Sequence, residues 1–249
     1  MIDYKFNEDF NKRLVKGIEQ GYSGYAEVRR EKRKELFVSG AYAWVKGNHI
    51  EDQVARELQE IGIEFKEEKA GFAWEYLSFT NPQENYLFLI KNANIVKHKS
   101  NTPTLDTPSS DYYLVELSKI NSALDFGEIK GSQQGTLELL DLQTLPKSIE
   151  DESIEELKTQ YTDFYILTYT IDLTSRMLSS VDLWMPEFVA NSKVEMVKVD
   201  SLTRYLGKSG AEINFDAIQE LLKLPEEEFS GTPTEFGYTT IEETEREKA

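Results

Sequence analysis

Side chains that can ionise, attack or ligate are unevenly supplied in this chain. It has no cysteine and only two histidines, His49 and His98. That excludes disulfides, thiolate zinc sites, iron–sulfur clusters and cysteine nucleophiles, and it leaves too few imidazoles for a histidine-built metal centre or triad. Phosphate-loop, dinucleotide, zinc-protease and nucleophile-elbow patterns are missing. Gly207-Lys208-Ser209 matches only the end of a phosphate loop, because Leu202 stands where the earlier glycine belongs. His49 is expected at an exposed position in the first turn of a helix, and His98 sits between Lys97 and Lys99 with no patterned partner. Two charged clusters stand out. Arg29, Arg30, Lys32, Arg33 and Lys34 put five cations within six positions and could meet phosphates. Glu27, Glu31 and Glu35 interleave with them at the spacing of ion pairs on a solvated helix. Glu150, Asp151, Glu152, Glu155 and Glu156 make an acidic run that could match a basic surface. Trp184 and Phe188, on either side of Pro186, are aromatic candidates for an interface anchor, with core packing as the competing reading.

A third constellation runs from Lys46 to Lys91. A helix bearing Glu51 is followed by a strand bearing Glu75, in Trp74-Glu75-Tyr76, and then by a strand ending in Lys91, in Leu89-Ile90-Lys91. This order of elements resembles the PD-(D/E)xK nucleases, and Lys46-Gly47 ahead of the glutamate-bearing helix is similar to their resolvase-like members. The resemblance covers about 45 residues. It implies metal-assisted phosphodiester hydrolysis, with Glu51 and Glu75 as carboxylates for Mg²⁺ and Lys91 orienting the attacking water. The chain departs from that pattern at one central position. Leu89 stands where the acid two residues before the lysine belongs, and no Pro-Asp pair precedes the strand. A lost carboxylate weakens the case for a bound metal, so no metal and no cofactor is expected.

These residues need elements to hold them. Asn7 caps a first helix with Phe6, Phe10, Leu14 and Ile18 at four-residue spacing, which is expected to end near Gly21. A second helical segment is expected over 24–37. Asn48 and Glu51 read as the capping box of a third helix, striped by Ile50, Val54, Leu58 and Ile61 and stopped by Gly62. The period then falls to two over 63–68, 72–79 and 86–91, predicting consecutive antiparallel strands. Residues 97–111 read as a loop or hinge, 112–117 and 136–142 as strands, and 150–160 as an acidic helix. Strands are expected at 164–171, 177–185 and 194–199, the first two joined by a hairpin at 172–176. Asn214 or Asp216 starts a last helix that Pro225 closes, and 226–249 reads as a mobile acidic tail. The sum is an α+β chain: helices first, then mainly antiparallel sheet, then a C-terminal helix and tail. Its regions are 1–100, 101–225 and 226–249, the first two separable or fused.

With 249 residues and 39% hydrophobic side chains there is ample material for a core, so the acidity belongs to a folded protein. The 45 acidic and 28 basic side chains leave a net charge of −17. Residues 1–100 hold 16 acidic and 16 basic side chains while residues 101–249 hold 29 and 12, so the whole surplus lies in the second part. No apolar run is long enough to span a membrane, and MIDYKFNEDF lacks the character of a signal peptide, so a cytoplasmic location is expected. The segments GAYAWVKGNHIEDQVARELQEIGIEF and DFYILTYTIDLTSRMLSSVDLWMPE, with the Lys, Glu, Ile, Asn and Tyr richness, resemble uncharacterised phage and prophage proteins of low-GC Gram-positive bacteria. That resemblance implies action on a host or phage macromolecule in the host cytoplasm. The expected function is a non-enzymatic interaction protein whose acidic part binds a basic partner, such as a bacterial defence or nucleic-acid-handling protein. A divergent nuclease-like domain contacting nucleic acid through Arg29 to Lys34 is the second reading, and a structural, homo-oligomeric phage component the third.

Overall fold

A computed structural model describes residues 4–70, 74–93, 96–97, 104–105, 112–130, 151–190 and 193–224. The chain opens with α1 (Glu8–Glu35), whose Asn7 side chain accepts from the Phe10 amide at 2.9 Å. Glu8 and Asp9 in its first turn and Lys32, Arg33 and Lys34 in its last complement the helix dipole. The two helices expected on either side of Gly21 are therefore one. Gly17 and Gly21 serve close packing and do not end the helix: a Cβ on Gly21 would lie 2.6 Å from the His49 carbonyl oxygen, and one on Gly17 would lie 2.7 Å from Val54 Cα. Both contacts are with α2 (Lys46–Gln59), which lies against α1 and buries Ile50, Val54 and Leu58 as the stripe predicts. Ile61, the expected end of that stripe, is exposed beyond the helix. The expected capping box is absent too. The helix starts two residues before Asn48, Val45 offers no capping side chain, and Glu51 turns into the interior.

The sheet follows, with β1 (Glu64–Ala70), β2 (Trp74–Asn81), β3 (Tyr86–Asn92), and the two-residue strands β4 (Val96–Lys97) and β5 (Thr104–Leu105). After them come α3 (Tyr112–Ser118), α4 (Phe126–Lys130), α5 (Asp151–Gln160), β6 (Asp163–Ile171), β7 (Leu178–Ala190), β8 (Lys193–Ser201) and α6 (Phe215–Leu221). Asn214 caps α6 by accepting from the Ala217 amide. The strand order is β1-β2-β3-β6-β7-β8-β5-β4, and among the described residues every pair is antiparallel except β3 with β6. The fold is α+β, with helices at the start, a mainly antiparallel sheet and a helix after the last strand. The expected strand at 136–142 and the tail at 226–249 lie outside the described residues.

The central strands are covered on both faces. Tyr86, Phe88 and Ile90 of β3 join Tyr165, Leu167 and Tyr169 of β6 in a core under α1, α2 and α6. Leu87 and Leu89 join Phe164 and Ile166 in a second core under α3. Residues 112–117 are helical, where alternation had suggested a strand. Tyr113, Leu114, Val115 and Leu117 are all buried against the sheet, and a short, wholly buried run carries no period that separates helix from strand. Asn121, just beyond α3, acts as an extra rung of the sheet. Its Nδ2 donates to the Phe164 and Pro186 carbonyls, each at 2.9 Å, and its Oδ1 accepts from the Phe164 amide at 2.8 Å. It thereby serves backbone groups that Pro186, which lacks an N–H, cannot pair.

Candidate functional site

The ends of parallel β3 and β6 are where an open sheet with a crossover offers a ligand site, and two of the three nuclease-like candidates meet there. The β2–β3 ladder stops at the Ser78↔Leu89 pair. One residue further, the freed Leu77 amide donates to Glu51 Oε2 at 2.9 Å, so the buried Glu51 carboxylate reaches from α2 into the opening between the strands. Burial pushes this carboxyl up to about 7, against the opposing pull of the Lys91 charge and the Leu77 N–H. Lys91, at the end of β3, holds its ammonium 4.7 Å from the Tyr76 ring centre and 5.5 Å from that of Tyr113. These rings stack on each other at 4.6 Å. The lysine is thus held by aromatic faces, within reach of the Glu51 charge.

Glu75 does not join them. It is exposed on β2, in register with Lys69 of β1 and 3.8 Å from its ammonium. Leu89 is fully buried in the second core. Among the described residues no group of three metal-ligating side chains is gathered anywhere. A further group that feels the Glu51 charge, Tyr169, has little signal in sequence. Tyr169, paired in register with Asn92, is hydrogen-bonded by the Asn92 side chain, and burial followed by the Glu51 charge holds its phenol well above the usual range. At the start of α2, Lys46 is pushed down to about 8, by burial first and then by the Arg176 charge. Arg176 is buried in a left-handed conformation with φ 57°, and its carbonyl accepts from the Tyr22 hydroxyl at 2.6 Å. Glu19 is another of the buried carboxylates. It accepts from the Gly207 amide at 2.7 Å and from the Ser209 hydroxyl, which gives the Gly207-Lys208-Ser209 loop a structural role. The detectable signal for Glu51 is its place inside the apolar stripe of α2, between Ile50 and Val54.

The basic cluster is divided by the structure. Arg29, expected on a solvated face, is buried: it continues the stripe of Tyr22, Tyr25 and Ala26, and its Nη1 donates to the Ser39 carbonyl. Lys32 pairs with Glu35 at 2.7 Å, while Arg30 is half-buried and Arg33 and Lys34 are exposed. Trp184 is not an exposed anchor either. It is buried in the second core, with its indole N–H donating to Thr168 Oγ1 at 2.9 Å. Phe188 is half-buried beside that core, with the Lys119 ammonium 5.7 Å from its ring. Glu156 is exposed on α5. Glu150 and the side chains of Asp151, Glu152 and Glu155 lie outside the described residues, as does His98. His49 is half-buried, its ring 6.3 Å from that of Tyr25, and burial lowers its pKa.

The arrangement at Glu51 supplies a near-neutral carboxyl, an aromatic-held cation and a buried phenol at one end of the sheet, without a second carboxylate. No helix among the described residues is long and apolar enough to cross a membrane. Comparison with protein-family models, curated proteins and solved structures finds no match.

Proposed function

We propose that this chain acts by binding and modulating another macromolecule, without metal-dependent phosphodiester cleavage. The observation that carries this reading is the fate of the second carboxylate position. Leu89 fills it and is packed into the core, while Glu75 faces solvent beside Lys69. Two-carboxylate metal chemistry at Lys91 therefore lacks half of its ligands. The partner we propose is a basic protein, such as a nucleic-acid-handling or bacterial defence factor, met through the acid-rich part of the chain. There two exposed cations are tied to neighbouring acids, Lys198 to Asp182 at 3.0 Å and Arg204 to Asp200 at 2.7 Å. Glu156, Asp172, Glu212 and Asp216 are also exposed and extend the negative surface. A phage origin and a host-cytoplasmic setting fit this reading.

Capture from a Gram-positive bacterial lysate on the immobilised chain, eluted with rising salt, tests it. A basic partner released by salt is the expected outcome, because long-range charge attraction is screened. Recovery of no salt-sensitive partner contradicts it. The second reading, a divergent nuclease, draws on the meeting of Glu51 with Lys91 and is tested by direct assay for cleavage.

A further inference from the structure

The charge-balanced first part of the chain carries a surface of the opposite kind. At the end of α1 the sequence Leu36-Phe37-Val38 leaves the helix into solvent: Phe37 is fully exposed, Val38 86% and Leu36 43%. Three consecutive exposed apolar side chains waste several kcal/mol of available burial, and such patches mark contact sites more often than chance exposure does. Beside them, the last turns of α1 and the end of α6 enclose a groove of about 230 Å³. Arg30, Arg33 and Lys34 line one side, Glu220, Leu221 and Leu224 the other. The Arg33 guanidinium donates across it to the Lys223 carbonyl at 3.3 Å, and Glu220 is held by Lys223 at 2.5 Å. Leu222, next to the groove, is a further exposed apolar side chain.

We propose that this end of α1 is a docking surface for an acidic segment of another protein that carries bulky apolar side chains. Resting on the binding role argued above, it gives that role a second contact, of opposite sign to the acid-rich part. Carboxylates of the segment meet Arg30, Arg33 and Lys34, while its apolar groups cover Leu36, Phe37 and Val38. Charge complementarity selects the sign of the occupant, since cations outnumber acids in the groove of an otherwise strongly acidic molecule. The aliphatic groups select its class. Nucleic acid rewards cations and aromatic stacking, and of this patch only Phe37 offers a base a ring, whereas Leu36, Val38 and Leu222 are aliphatic groups that only an apolar partner covers.

The test titrates the full chain against a fluorescein-labelled synthetic peptide in which Glu alternates with Leu and Phe, read by anisotropy at low and at high salt. Binding that weakens with salt is expected. Phe37→Ser, and separately the pair Arg33→Glu with Lys34→Glu, should each weaken it about tenfold with the melting temperature unchanged. Should the charge reversals loosen α1, Phe37→Ser still reports on the surface, because that residue lies outside every helix and strand. Equal peptide binding by wild type and Phe37→Ser, or none by either, overturns the proposal. So does tighter binding of labelled oligothymidine with the same mutational losses, or a dimer in light scattering that Phe37→Ser dissociates. A lysate partner still captured by Phe37→Ser at wild-type yield would leave the binding role standing and remove this surface from it.

Discussion

Glu51 is the residue on which the site turns, and its behaviour with pH can be worked out. Its folded pKa is raised from 4.5 to about 7, chiefly by burial. Between those values the folded protein keeps a proton that the unfolded chain gives up. Stability therefore falls as pH rises through that window and is flat above it. Glu51→Gln keeps an oxygen for the Leu77 amide and removes the ionisation. It should abolish this slope and raise stability near pH ~8 by on the order of 2 kcal/mol, as read by urea unfolding of both proteins at mildly acidic and mildly alkaline pH. An unchanged slope would show that Glu51 is not the titrating group. At this scale the sequence reveals which residues are capable of chemistry but not which are paired. Glu51 and Lys91 come together while Glu75 faces away, because the β2–β3 ladder opens one residue beyond Ser78, a detail with no counterpart in spacing.

Elements whose burial leaves a period were legible, and those buried all round were not. The stripe of α2 and the alternation of the β1–β2–β3 meander lead directly to the observed segments. By contrast, α3 packs every side from Tyr113 to Ser118 into the interior and reads as a strand. Glycine was misread for a related reason, since a close helix crossing and a helix end call for the same residue. The α1–α2 contact makes the distinction measurable. At Gly21 a methyl group meets the α2 backbone at 2.6 Å, whereas at Gly24 it meets nothing within 4 Å. Gly21→Ala should destabilise the protein by about 1–3 kcal/mol through forced separation of the helices. Gly24→Ala should stabilise it by about 0.5–1 kcal/mol through backbone entropy alone. Thermal unfolding of the two variants checks the opposite signs, and equal signs would contradict the packing described.

For the molecule as a whole, the α+β class was readable in the sequence, but the order of the sheet was not. The parallel β3–β6 pairing joins strands 70 residues apart in sequence through a long crossover, and no local pattern announces it. That pairing places residues from both sides of residue 100 in one core. The central claim is that a sheet end resembling a nuclease site serves a molecule that binds and does not cut. The most direct test incubates the full chain with end-labelled single- and double-stranded DNA and RNA in Mg²⁺ and in Mn²⁺, beside Lys91→Ala. The account predicts no cleavage above the protein-free blank in any combination. Metal-dependent cleavage by the wild type that Lys91→Ala abolishes would contradict it.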